Sequence, residues 1–311
     1  MVGVFDGHCG AGAAEEAMEA IQEELRDLVR DVDDREAFVR AFLATDDRIQ
    51  DEAGCTATCV TIFQREQIDE IAIRAANVGD SMAYIAPIHG DDEVRPDDRS
   101  SSSKEETNTT YTTLTQDHRL SNPEERGRLQ SHGVIPEGDS TTYRLYGLNL
   151  ARALGDRFLK DEDLGLSAEP HVSDVVVLGR DREALIVIAS DGLWDVMSAE
   201  DAMDLARQVD RDSHGSVVKV AAALVREAEA LGSKDDVTVV ACRVWSKESV
   251  TNFSGAFRSS VERSDGDVGL GAGTRSRAAV ARVDDPSDDP GDDPGDDVDD
   301  DLAVGFGGML L

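Results

Sequence analysis

Asp6, Asp191 and Asp235 each stand where an apolar run meets a turn. Asp6 follows Val-Gly-Val-Phe, Asp191 follows Ala-Leu-Ile-Val-Ile-Ala-Ser, and Asp235, with Asp236 beside it, precedes Val-Thr-Val-Val-Ala-Cys-Arg-Val. One acid at a strand end is ordinarily a turn former or a helix cap. Several at equivalent strand ends can converge in space, and converging carboxylates repel one another unless a proton or a cation lies among them. Hard oxygen ligands without a His/Cys cluster select Mg²⁺ or Mn²⁺ rather than zinc. Two such ions about 3.5–4 Å apart can bridge a water, lower its pKa and present hydroxide for in-line attack on phosphorus. His8, close to Asp6 in the chain, adds an imidazole suited to donating a proton near neutral pH.

Positioning these groups requires strands and helices in a definite order. Between residues 13 and about 32 the apolar positions Ala14, Ala17, Met18, Ile21, Leu25, Leu28, Val29 and Val32 follow the three-four spacing of an amphipathic helix, and 35–53 repeat it. CTATCVTIF (55–63) and IDEIAIRAANVG (68–79) predict a β-hairpin turning at polar residues 64–67. Asn122 and Pro123 predict the cap and first turn of a short helix ending near Gly133. ALIVIA predicts an apolar strand stopping at Asp191; helices over 199–209 and 217–231 and the strand VTVVACRVW (237–245) follow.

Composition limits the partners. With 65 acidic against 31 basic residues and a net charge of −34, the chain cannot neutralise phosphates by counterion release, so nucleic acid is excluded as a partner. Acidity of this degree suits a concentrated-salt cytoplasm, as in a halophile, where screening removes self-repulsion. The four cysteines form no CxxC pair and read as reduced structural thiols inside a cell. No signal-peptide pattern is present and no apolar run approaches the roughly 20 residues a membrane helix needs, so a cytoplasmic protein with no membrane partner is expected. Residues 90–113 carry almost no apolar side chains and predict a mobile surface loop; 247–311, which contain the repeats DDPSDDPGDDPGDD (284–297), predict a disordered acidic tail.

The sequence carries eight further-reaching matches in order: Asp6-Gly7-His8, Gly54-Cys55-Thr56-Ala57, Asn77-Val78-Gly79-Asp80-Ser81, Leu114-Thr115-Gln116-Asp117-His118, Ala151-Arg152-Ala153-Leu154-Gly155-Asp156, Glu169-Pro170, Ser190-Asp191-Gly192-Leu193-Trp194-Asp195 and Ser233-Lys234-Asp235-Asp236-Val237-Thr238. This set resembles the motifs of the type-2C (PPM family) metal-dependent serine/threonine protein phosphatases, over residues 1–246. The resemblance implies an α+β fold, a four-layer α-β-β-α sandwich with two antiparallel sheets. It implies hydrolysis of phosphoserine and phosphothreonine in protein substrates by attack of a metal-bridging water, with two Mg²⁺ or Mn²⁺ ions and a third, weaker one. Asp6 then corresponds to the bridging carboxylate, Gly7 to the glycine whose carbonyl holds the second ion, and Asp191 and Asp235 to the remaining ligands of the first ion. Asp80 and Asp195 correspond to positions of the third ion, and His8 to the general acid that protonates the leaving oxygen. A monomer is expected.

The chain departs from the family pattern at several points. The family's phosphate-binding arginine and a Glu-Asp pair precede the first residue of this sequence, so an N-terminally incomplete form of an active enzyme is expected. The alternative is a pseudophosphatase or regulatory binding module. Arg152 is a candidate substitute phosphate binder, although a structural role is expected for it. Cys9 replaces a usual glycine and Asp236 a usual asparagine. Cys59 and Arg65 have the C-x5-R spacing of cysteine-dependent phosphatases, but CVTIFQR has no glycine to wrap a phosphate and reads as a strand.

Overall fold

The computed structural model describes residues 1–65, 70–88, 111–138, 143–179, 182–246, 268–270 and 274–283. Its first third holds strands β1 (Val2–Val4) and β2 (Gly7–His8), helices α1 (Gly12–Leu28) and α2 (Arg35–Arg48), then β3 (Gly54–Cys55), β4 (Ala57–Arg65), β5 (Glu70–Val78) and β6 (Met82–Pro87). The middle contributes β7 (Thr112–Thr113), α3 (Pro123–Ser131), β8 (Leu154–Gly155), α4 (Arg157–Asp161), β9 (His171–Val172) and β10 (Val176–Leu178). The last part holds β11 (Glu183–Ala189), α5 (Asp191–Trp194), α6 (Ala199–Asp212), α7 (Val217–Ala230), β12 (Val237–Ser246), β13 (Val268–Leu270) and β14 (Thr274–Val283).

The predicted hairpin forms as β4 against β5, antiparallel, with Ile62 opposite Ile73 and Thr58 opposite Asn77. It anchors a sheet in the order β1-β4-β5-β10, with β9 also on β5. The second sheet runs β13-β14-β12-β11-β6-β7, and a small third sheet runs β2-β3-β8. β11 explains how the layers stack, because successive strand residues face opposite sides. Ala184, Ile186 and Ile188 join Val60, Ile62, Ile71 and Ile73 in a core between the two large sheets. Leu185, Val187 and Ala189 pack instead with Met203 and Ala206 of α6 and Val220 and Leu224 of α7. On the other side Ala17 and Ile21 of α1 and Phe38 and Phe42 of α2 cover Ala57, Cys59, Ala76 and Val78. The result is the expected α-β-β-α order, in which each fully buried Ile, Leu or Phe contributes about 1.5–3 kcal/mol.

Local signals account for the helix boundaries. Asn122 Oδ1 accepts from Glu124 N–H at 2.9 Å with Pro123 opening α3, as predicted. Ser198 and Ser216 cap α6 and α7 in the same way. α1 and α2 end at Leu28 and Arg48, earlier than the apolar spacing suggests, because Val29 and Ile49 turn extended while still burying their side chains.

Three expectations change. CTATCVTIF is not one strand: it breaks at Thr56, which places Cys55 in the small sheet and Cys59 in a large one. Thr112–Thr113 form a strand on β6, whereas 89–110 of the expected loop lie outside the described residues. Within the expected tail, TRSRAAVARV, which carries no acid, forms β14 and pairs along the whole of β12, from Val237↔Val283 to Ser246↔Thr274. The repeats at 284–297 lie outside the described residues. Among the described residues no helix is long and apolar enough to cross a membrane.

Candidate metal centre

Short polar contacts hold the acidic motifs against one another. Thr56 N–H donates to the Asp6 carbonyl at 2.8 Å, and Asp6 N–H donates back to Thr56 Oγ1 at 3.2 Å. Thr56 Oγ1 also meets Ser81 Oγ at 2.8 Å, so the turn carrying Asp6 is tied to the residue after Asp80. Gly79 N–H donates to His118 Nδ1 at 3.1 Å and Asn77 Nδ2 donates to the Gln116 carbonyl at 2.8 Å, which joins the Asp80 turn to the segment 114–118. On the other sheet Ser190 Oγ donates to the Asp236 carbonyl at 3.1 Å and accepts from Thr238 N–H at 3.0 Å, fixing Asp191 beside Asp235 and Asp236. Gly192 is required there: a Cβ on it would stand 2.3 Å from the Asp236 carbonyl oxygen.

The carboxylates of Asp6, Asp80, Asp191 and Asp235 consequently feel one another. Burial, reinforced by the charges of Asp235 and Asp80, raises the Asp6 carboxyl to about 6, while a hydrogen bond with Asp191 opposes the rise. Burial, with Asp80 and Asp6, raises Asp191 to about 8 against the pull of Arg119. Among the described residues no group of three or more His, Cys, Asp or Glu side chains is closed tightly enough to hold a metal ion as it stands. Arg119 Nε donates to Asp80 Oδ2 at 2.7 Å, Nη2 to Asp191 Oδ2 at 3.1 Å and Nη1 to Asp195 Oδ1 at 2.6 Å, so a guanidinium spaces the acids. Burial works against that guanidinium's charge, but Asp80 and Asp195 outweigh it and raise its pKa.

The donor set fits hard divalent cations. It consists of carboxylate oxygens, and the raised values of Asp6 and Asp191 mark negative charge that a cation would relieve. Of the predicted residues, Asp6, Asp80, Asp191 and Asp235 are electrostatically linked, and Asp195 joins them through Arg119. Gly7 is positioned by close approach: a Cβ would lie 2.7 Å from the Gly10 carbonyl oxygen.

His8 does not face the acids directly. Its Nε2 lies 2.8 Å from Asp156 Oδ2, with Gly54 beneath the pair. Asp156 adopts a left-handed backbone, φ 48°, immediately after β8, which directs its carboxylate across the small sheet. Arg152 is taken up structurally: it donates to the buried Glu125 at 2.9 Å and to the Glu169 carbonyl at 2.8 Å. Burial pushes the Cys59 thiol up to about 12, the opposite of an activated nucleophile, so C-x5-R carries no chemistry here. Two residues escape assignment in the sequence. Asp156 lies inside a quoted motif, and Arg119 follows Asp117-His118; a lone cation next to an acidic motif was the available signal.

The model of the family described as "Protein phosphatase 2C" matches residues 1–237. "Protein phosphatase 2C 70" of Arabidopsis thaliana is 32% identical over 253 residues, covering 76% of this chain and 40% of the plant protein. A probable protein phosphatase of Dictyostelium discoideum is 29% identical over 262 residues, covering 77% of this chain and 25% of that protein. The chain thus spans less than half the length of these curated relatives. Among solved structures, a phosphatase from Toxoplasma gondii superposes with a TM-score of 0.61 at 22% identity, over 76% of this chain and 82% of that one. A Caenorhabditis elegans sex-determining protein gives 0.58 at 24% identity, over 77% and 55%. The architecture is therefore that of the type-2C phosphatases, an α+β sandwich. The chain belongs to the protein phosphatase 2C family.

Proposed function

We propose that the chain is a metal-dependent protein serine/threonine phosphatase acting on phosphoserine and phosphothreonine in protein substrates, with Mg²⁺ or Mn²⁺ as its ions. What supports this reading is that Arg119 draws Asp80, Asp191 and Asp195 together across the two large sheets, and that burial with neighbouring acid charge raises Asp6 and Asp191. The domain spans 1–246. Asp6, the Gly7 carbonyl, Asp191 and Asp235 would hold two ions, and Asp80 and Asp195 a third. When bound, such ions supply Lewis acidity that lowers the pKa of water and offsets phosphate charge. The protein's own residues do the rest. Asp6 and Asp191 stay ionised once a cation offsets their mutual repulsion, and the small sheet holds His8 within reach of the same end of the sandwich. Asp156 accepts from His8 Nε2–H and fixes the ring, so that the protonated imidazole would give the proton on its other nitrogen, Nδ1, to the seryl or threonyl oxygen as the ester bond breaks and be left neutral.

The net charge of −34 and the four free cysteines support a monomeric cytoplasmic protein in concentrated salt. Arg119, which neutralises three acids without a metal, favours a second reading as a binding module without turnover. Release of inorganic phosphate from a phosphothreonine peptide, with Mn²⁺ and with a chelator, decides between them: metal-dependent release supports the enzyme, and none from the folded chain supports the module.

A further inference from the structure

Arg119 holds three carboxylates that come from separate segments: Asp80 after β5, Asp191 at the start of α5 and Asp195 just past its end. Asp80 is 5% and Asp191 17% exposed, so these two contacts are made inside the site, while Asp195, 53% exposed, closes its outer edge. The backbone that carries the guanidinium is fixed. Arg119 N–H donates to Asp117 Oδ1 at 2.9 Å, and Leu120 N–H donates to the Asn149 carbonyl at 2.7 Å. Only the side chain is free to leave.

An ion on Asp80, Asp191 and Asp195 would use the oxygens that now accept from the guanidinium. Ion–oxygen distances of about 2.0–2.2 Å would also bring its double charge against the arginine, so both cannot occupy the cluster at full strength. We propose that Arg119 is a resident counter-cation that competes with the divalent ion for Asp80, Asp191 and Asp195. It holds the site together when no metal is bound and lowers the affinity with which metal binds. This deepens the metal-dependent reading and rests on it. The site thereby avoids a choice between a collapsed, repelling acid cluster and an ion held too tightly to exchange. The planar fork of arginine is what allows one cation to bridge three acids; a lysine ammonium is a single point donor.

The test is calorimetric titration of Mn²⁺ into the chain and into Arg119→Met, with melting of both in a chelator and in saturating Mn²⁺. Competition predicts Mn²⁺ binding tighter by about tenfold or more in Arg119→Met. It also predicts a lower melting temperature than the parent in chelator, a gap that narrows as Mn²⁺ saturates. Arg119→Lys, which keeps the charge but loses the bridge, is predicted to bind with intermediate affinity, and it serves if the Met variant does not fold without metal. Unchanged or weaker Mn²⁺ binding in both folded variants overturns the proposal alone. Absence of Mn²⁺ binding in the parent and the variants overturns the proposal together with the metal-dependent reading.

Discussion

His8 Nε2 and Asp156 Oδ2 are 2.8 Å apart although 148 positions separate them in the chain. The contact exists because β3 lies between β2, which carries His8, and β8, which precedes Asp156. A carboxylate on one ring nitrogen fixes the tautomer and the ring plane, so Asp156 is a positioning residue for His8. Asp156→Asn is predicted to lower kcat by about 10- to 100-fold with little change in KM. Because the effect passes through the imidazole, adding Asp156→Asn to His8→Gln should cost little beyond His8→Gln alone. Gly54→Ala should act in the same direction, since its Cβ would stand 2.0 Å from Asp156 Oδ2 and 2.5 Å from His8 Nε2. Steady-state kinetics of the four variants checks this; additive losses in the double variant would contradict it.

Cys9 stands next to that site with φ 62°, a left-handed conformation that costs a non-glycine residue. Cys9→Gly removes the steric cost while adding freedom to the unfolded chain, and the net is a gain of roughly 0.5–1 kcal/mol. The urea midpoint should rise at unchanged slope. A fall would mean that the exposed thiol makes a contribution outweighing the backbone strain.

His171 sets a pH dependence. Burial, then the charges of Arg35 and Arg152, lowers its pKa from 6.5 to about 4. The folded protein therefore prefers the neutral ring, and the stability this preserves is complete above pH 6.5. As pH falls from 6.5 towards 4 the unfolded chain takes up a proton that the folded chain refuses, and stability is lost. His171→Gln should be less stable than the parent at pH 7.5, with the difference shrinking at pH 4.5. Urea denaturation at both values measures it, and parallel slopes for the two proteins would contradict the assignment.

The fold was legible wherever one physical signal dominated. The unbroken apolar run ALIVIA identifies a strand buried on both faces, and the Asn122-Pro123 pair marks a helix start because cap and first turn are satisfied within three residues. The ordered motifs single out Asp6, Asp80, Asp191 and Asp235, and in the structure the charges of these acids act on one another. Asp156 could not be paired with His8, because their contact depends on which short strands flank β3, and two-residue strands leave no periodicity to read. Arg119 stayed hidden for a related reason: its three partners meet only after both sheets have closed. β14 is not legible because TRSRAAVARV lacks a regular apolar alternation and sits in a stretch dominated by Gly, Ser and Asp.

The central claim is that carboxylates from both sheets hold the ions that drive phosphoester hydrolysis, and Asp191 is the acid through which it is tested most directly. Asp191→Asn keeps the size of the side chain and removes the charge that links it to Asp6 and Asp80. The decisive measurement is Mn²⁺-dependent phosphate release from a phosphothreonine peptide in high salt by the chain and by Asp191→Asn, with circular dichroism confirming that both are folded. The expected result is turnover that a chelator stops and a loss of roughly 100-fold or more in the variant, the several kcal/mol that metal-assisted chemistry supplies. Equal rates in the two proteins, or no phosphate release by the folded, Mn²⁺-saturated chain, would contradict it.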